Sequence, residues 1–253
     1  MDDQPYASPD STGNPESGQS GSGWSPLQWL GCLVVTGVVV VLVVALMLPV
    51  TRSAGPAARR TQCKNNLKQI ALALHLYHDQ WNRFPPAYTV DADGKPLHSW
   101  RTLILPYLDQ RRLYETIDLS KPWDDPSNQT AYETKVLAYR CPSIDIADAH
   151  TTYMAIVSPE SCLRPIESSP LSEITDDAGK TMIVIEVNSS QAVHWMSPLD
   201  ADEAMVLGLG QTGELPHANV LHAVFVDGSV QPLLDDVPAA DRRAAISIAG
   251  DDP

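Results

Sequence analysis

The histidines are the residues here best suited to acid–base or metal chemistry. His75 and His78 stand three apart with Asp79 beside them, so on a helix both imidazoles would face one side and supply half of a metal site. No second pair follows at matching spacing, so a polar helix edge is the plainer reading and no metal site is assigned. His194, His217 and His222 fall in the second half of the chain with Asp227. Hydrolytic chemistry would need a nucleophile beside them. The chain has no Gly-x-Ser-x-Gly elbow, and Ser229 follows Asp227-Gly228 as a turn residue would. No catalytic residue is assigned. The acid pairs Asp124-Asp125, Asp176-Asp177 and Asp235-Asp236 lack the spacing of a calcium loop, and there is no glycine-rich phosphate loop, so no cofactor is expected.

Four cysteines carry the remaining chemistry. Cys32 lies inside an apolar run. Cys63 and Cys141 are candidates for a disulfide, with Cys162 left as a free thiol or a competing partner, and spacing alone does not choose. A disulfide would place its domain outside the cytoplasm. Trp100, Trp123 and Trp195 are candidates for stacking on a carbohydrate or small solute.

The elements that position these residues begin with a membrane anchor. No charged residue occurs between Glu16 and Arg52, and residues 27–50 are long and apolar enough for a helix to cross a bilayer. Trp24 and Trp29 suit its interface. The run is too long for a signal peptide and lacks a basic segment before it. Residues 1–23 read as a disordered acidic tail, and 51–56 as a short linker. From about Ala57 to Trp81 the period becomes helical, with Leu67, Ile70, Ala71, Leu74, Tyr77 and Trp81 on one stripe, ended by Phe84-Pro85-Pro86.

A hairpin is expected around Asp91–Lys95, then helices at Ser99–Gln110, capped by Ser99, and at Arg111–Ile117. Strands are expected at Thr151–Val157, Thr181–Val187, Val220–Val226 and Ser229–Leu233, the last two joined at Asp227-Gly228, and a closing helix at Ala239–Ala249. The net charge of −14 argues against nucleic-acid binding, which needs a basic face. Orientation is contested. The tail holds only acids and the far side of the anchor holds Arg52, Arg59, Arg60, Lys64 and Lys68, which by the positive-inside rule would keep the main domain in the cytoplasm.

Several stretches share an order with one family: Arg59-Arg60-Thr61-Gln62-Cys63-Lys64-Asn65-Asn66-Leu67, Phe84-Pro85-Pro86, Ser99-Trp100-Arg101, Pro122-Trp123-Asp124, Tyr139-Arg140-Cys141-Pro142, Ile174-Thr175-Asp176-Asp177, and His217 followed after nine residues by Asp227-Gly228. Over residues 57–250 the chain resembles the planctomycete paralogous family of prepilin-like membrane proteins, whose domain has no assigned function. The resemblance implies an α+β, pilin-like fold. In it an N-terminal transmembrane helix continues into an amphipathic helix packed on an antiparallel β-sheet, on the extracytoplasmic side of the inner membrane. It also implies the Cys63–Cys141 pairing and gives the basic residues after the anchor a family origin. His217, Asp227 and Gly228 match the family's C-terminal signature and are expected to form the fold, as a hairpin turn with a side chain that hydrogen-bonds it.

One departure matters. The anchor begins Trp29-Leu30-Gly31-Cys32 and lacks the prepilin cleavage motif and its glutamate, which argues against filament assembly. The expected role is a tethered domain, held to the bilayer by residues 27–50, that is structural or binds a protein partner. A carbohydrate- or solute-binding module is the alternative.

Overall fold

The computed structural model describes residues 24–167, 169–209, 217, 220–234 and 236–249, without the side chains of 45–54. The expected tail over 1–23 lies outside them. The chain divides into two compact units, residues 1–52 and 53–253. The described part of the first is the start of helix α1 (Pro26–Trp81). Its segment Pro26–Val44 has a mean hydropathy of 2.5 with no residue buried, long and apolar enough to cross a membrane. Residues 51–56, expected as a linker, are helical. Pro56 removes one ladder bond, which a helix with long flanks on either side survives.

In the second unit the helical stripe behaves as its spacing predicts for Leu67, Ile70, Ala71 and Leu74, all buried. Trp81 does not follow. It is exposed and its indole N–H donates to the Tyr107 hydroxyl at 3.2 Å. The helix stops because Asn82 turns left-handed, with φ 56°, before the prolines are reached.

Strands β1 (Tyr88–Val90) and β2 (Pro96–Ser99) form the expected hairpin. Ser99 caps α2 (Trp100–Leu103), accepting from the Arg101 N–H at 3.2 Å. This helix is much shorter than the Ser99–Gln110 expected. Pro106, without an N–H, turns the chain into a 3-10 segment at Leu105–Tyr107. Short helices α3 (Arg111–Tyr114) and α4 (Gln129–Tyr132) follow.

The core sheet is four-stranded and antiparallel, in the order β4 (Tyr153–Ala155), β5 (Met182–Glu186), β7 (Val220–Phe225), β8 (Val230–Leu234). A separate pair joins β3 (His150–Thr151) to β6 (Val193–His194). The order places β5 between β4 and β7, with Tyr153 opposite Glu186 and Ile185 opposite Ala223. Every residue of β5 is buried because the sheet is covered on both faces. One face packs Ile183 and Val224 against Leu67, Ile70 and Leu74 of α1. The other packs Ile185 and Leu221 against Val206 of α5 (Glu203–Leu207) and Ile246, just beyond α6 (Ala239–Ala244). The fold is α+β.

Candidate functional site

Glu186, the last residue of β5, is the centre of a buried polar cluster. An apolar strand that ends in a carboxylate must give it partners, since an unpaired buried charge is costly. Here they are two imidazoles. His217 Nε2 lies 3.2 Å from Oε1 and 3.1 Å from Oε2, and His222 Nδ1, on β7, lies 3.4 Å from Oε2. All three side chains are buried. Burial works to push the Glu186 carboxyl up, but hydrogen bonds from His217 and His222 outweigh it and hold the carboxyl below its ordinary range.

The same imidazole reaches sulfur. His217 Nε2 lies 3.6 Å from Cys141 Sγ. Cys141 is disulfide-bonded to Cys63 of α1 across 78 residues of sequence. Around the bond, Tyr153 Oη donates to the Cys63 carbonyl at 3.3 Å, and the Asn66 amide donates to the Arg140 carbonyl at 2.6 Å. Helix, loop and sheet therefore meet at this point. Cys162 is a buried free thiol whose acidity burial suppresses, and it takes no part in the pairing.

The expected grouping of His217 with Asp227 and Gly228 comes apart in space. They lie beyond opposite ends of β7, six residues or about 20 Å long. The turn forms as expected: Gly228 has φ 80°, and Asp227 Oδ1 accepts from the Ser229 N–H at 2.8 Å. His217, however, bonds Glu186 and not the turn. The histidine packed against the turn is His75, whose Nε2 would lie 3.3 Å from a Cβ at Gly228. His78 faces elsewhere, accepting from the Leu171 N–H at 3.2 Å, so the helical pair does not converge.

Two of the three tryptophans are corrected too. Trp100 and Trp195 are buried and have no ring face free for a ligand. Trp100 donates its indole N–H to Asp200 at 3.1 Å, and Trp195 donates to the Thr134 carbonyl at 2.9 Å. Trp123 is half-buried and stacks on Tyr132, with centroids 5.7 Å apart. A second buried polar centre was not anticipated. Arg101 forks onto Asp200 at 2.9 and 3.3 Å, while the Ala155 N–H donates to the same carboxylate at 2.8 Å. One sign of Glu186 was present in the sequence: an acid closing the apolar run Met182-Ile183-Val184-Ile185. Nothing local marked Asp200.

Four donor atoms of Cys63, Cys141, Glu186 and His217 lie within 4.8 Å of one another, all on buried residues. With the sulfurs joined, the set is a disulfide beside a Glu–His pair. Residues 52–164 match the family model described as a protein of unknown function (DUF1559). No curated protein and no solved structure matches the chain.

Proposed function

Starting from a family of unassigned function matched over residues 52–164, we propose that this chain is a membrane-tethered, extracytoplasmic domain of pilin-like plan. Its role in this reading is to hold a structure or bind a protein partner, without catalysis. The observation that carries the reading is the Cys63–Cys141 disulfide, which staples α1 to the loop before the sheet. Disulfides persist in oxidising compartments and are rare in the cytoplasm, so this bond outweighs the basic residues after the anchor. Pro26–Val44 supplies the tether in the inner membrane. The polar clusters support a structural role: around His217 the nearest sulfurs are bonded to each other, and Arg101 and Asp200 pair with each other inside the core. The anchor lacks a pilin-type glutamate, and that favours a single tethered domain over a filament subunit.

Labelling intact cells with a membrane-impermeant thiol reagent, with and without reductant, tests the compartment. Cys63 and Cys141 that react only after reduction and denaturation, both applied without lysing the membrane, support the reading. Free thiols that stay shielded until lysis would put the domain in the cytoplasm and end it.

A further inference from the structure

We infer that Cys63, Cys141, Glu186 and His217 form a thiol-gated site for one tetrahedral divalent cation of the zinc class, closed while the disulfide exists and opened by its reduction. The donor set has the right chemistry. Two thiolates, an imidazole and a carboxylate are the ligand types zinc takes in four-coordinate sites. The distances fit as well. Zinc bond lengths in a tetrahedron put a sulfur and a nitrogen ligand roughly 3.6 Å apart, and a nitrogen and an oxygen roughly 3.4 Å apart. Cys141 Sγ and His217 Nε2 are 3.6 Å apart, and His217 Nε2 and Glu186 Oε1 are 3.2 Å apart.

The remaining edges lie within 4.8 Å, and the sulfur–sulfur edge is too short. It is 2.02 Å in the disulfide and must open to roughly 3.8 Å, which two freed side chains do by rotating about χ1. An outer partner is already in place: His222 Nδ1 lies 3.4 Å from Glu186 Oε2 and leaves Oε1 to the cation. The four ligand residues are buried, and a groove of about 470 Å³ is lined by Gln62 and Pro142, the chain neighbours of the two cysteines.

The step balances with a dithiol as reductant. Its thiolate attacks one cysteine sulfur and the protein S–S bond breaks. The second reductant thiol then resolves the mixed disulfide, leaving two protein thiols and an oxidised, cyclic reductant. Cation binding expels one proton from each thiol, and His217 offers the Nε2 lone pair with its proton on Nδ1. Disulfide and cation are thus alternative occupants of one place: the first staples α1 to the loop covalently, the second through a metal.

The experiment is a cobalt(II) titration of the full chain in detergent micelles, oxidised and reduced, followed by zinc competition. Expected is one cobalt per reduced chain, with thiolate-to-cobalt charge-transfer absorption, tetrahedral d–d bands and displacement by zinc. The oxidised chain should give no charge-transfer band. Bound zinc should shield Cys63 and Cys141 from alkylation while Cys32 reacts. Glu186→Gln should weaken binding at least about tenfold, since loss of even an outer partner has an effect of that scale. The proposal is overturned if the reduced folded chain gives no such band, if urea leaves the affinity unchanged, or if the shielded thiols are Cys32 or Cys162. The urea comparison uses the unaltered chain and decides the matter should the Glu186 variant fail to fold.

Discussion

Gly228 and Gly94 share a left-handed backbone, with φ 80° and 81°, but differ in what a side chain would meet. A Cβ at Gly94 has nothing within 4 Å, whereas one at Gly228 would press on His75 Nε2 at 3.3 Å. Gly94→Ala should therefore cost only the backbone term, about 1 kcal/mol, and Gly228→Ala visibly more, about 2 kcal/mol or above, in urea unfolding. Equal costs would show that His75 moves aside freely. Asp200 makes a second case. Burial pushes its carboxyl up to about 6, against the pull of Arg101. The folded state then holds a proton that the unfolded chain, with an ordinary value of about 4, releases. The stability this adds is present below pH ~4 and is lost as pH rises through about 6. Asp200→Asn should flatten that slope while lowering stability by about 3–5 kcal/mol, because Arg101 is left buried without a counter-charge. An unchanged slope between pH 4 and 6 in the variant would refute the assignment.

At the scale of elements, the disulfide decides how α1 and the loop at Cys141 are held together. Closing a loop of 78 residues restricts the unfolded chain strongly. Cys63→Ala with Cys141→Ala should cost about 2–5 kcal/mol, a fall in Tm on the order of 10 °C by calorimetry. A fall of only a degree or two would mean that Asn66, Tyr153 and the apolar stripe suffice to dock the helix. Much of this element was legible in advance. The stripe from Leu67 to Leu74 follows from a period of 3.6, and the Asp227-Gly228 turn from the residue type that adopts its φ without strain. The helix expected over Ser99–Gln110 ends at Leu103, because Pro106 lacks the N–H that the ladder needs whatever its neighbours prefer.

For the whole molecule, Pro26–Val44 is the feature on which the tethered reading depends. The full chain should stay with the membrane pellet through alkaline carbonate extraction, and a variant lacking residues 26–44 should appear in the supernatant by immunoblot. Extraction of the unaltered chain would remove the tether. The sequence by itself determined what depends on neighbours along the chain: the apolar run, the stripe, the caps and turns, and the α+β order of helix before strands. Each rests on local sterics or hydropathy, readable in a window of a few residues. The tertiary structure alone decided which side chains meet. Glu186 finds His217 across 31 residues and Arg101 finds Asp200 across 99. It also set Trp100 and Trp195 inside and separated His217 from its sequence companions at the turn. Those outcomes follow from strand order and from the need of each buried charge for a partner, and a chain read in one dimension does not contain the pairing.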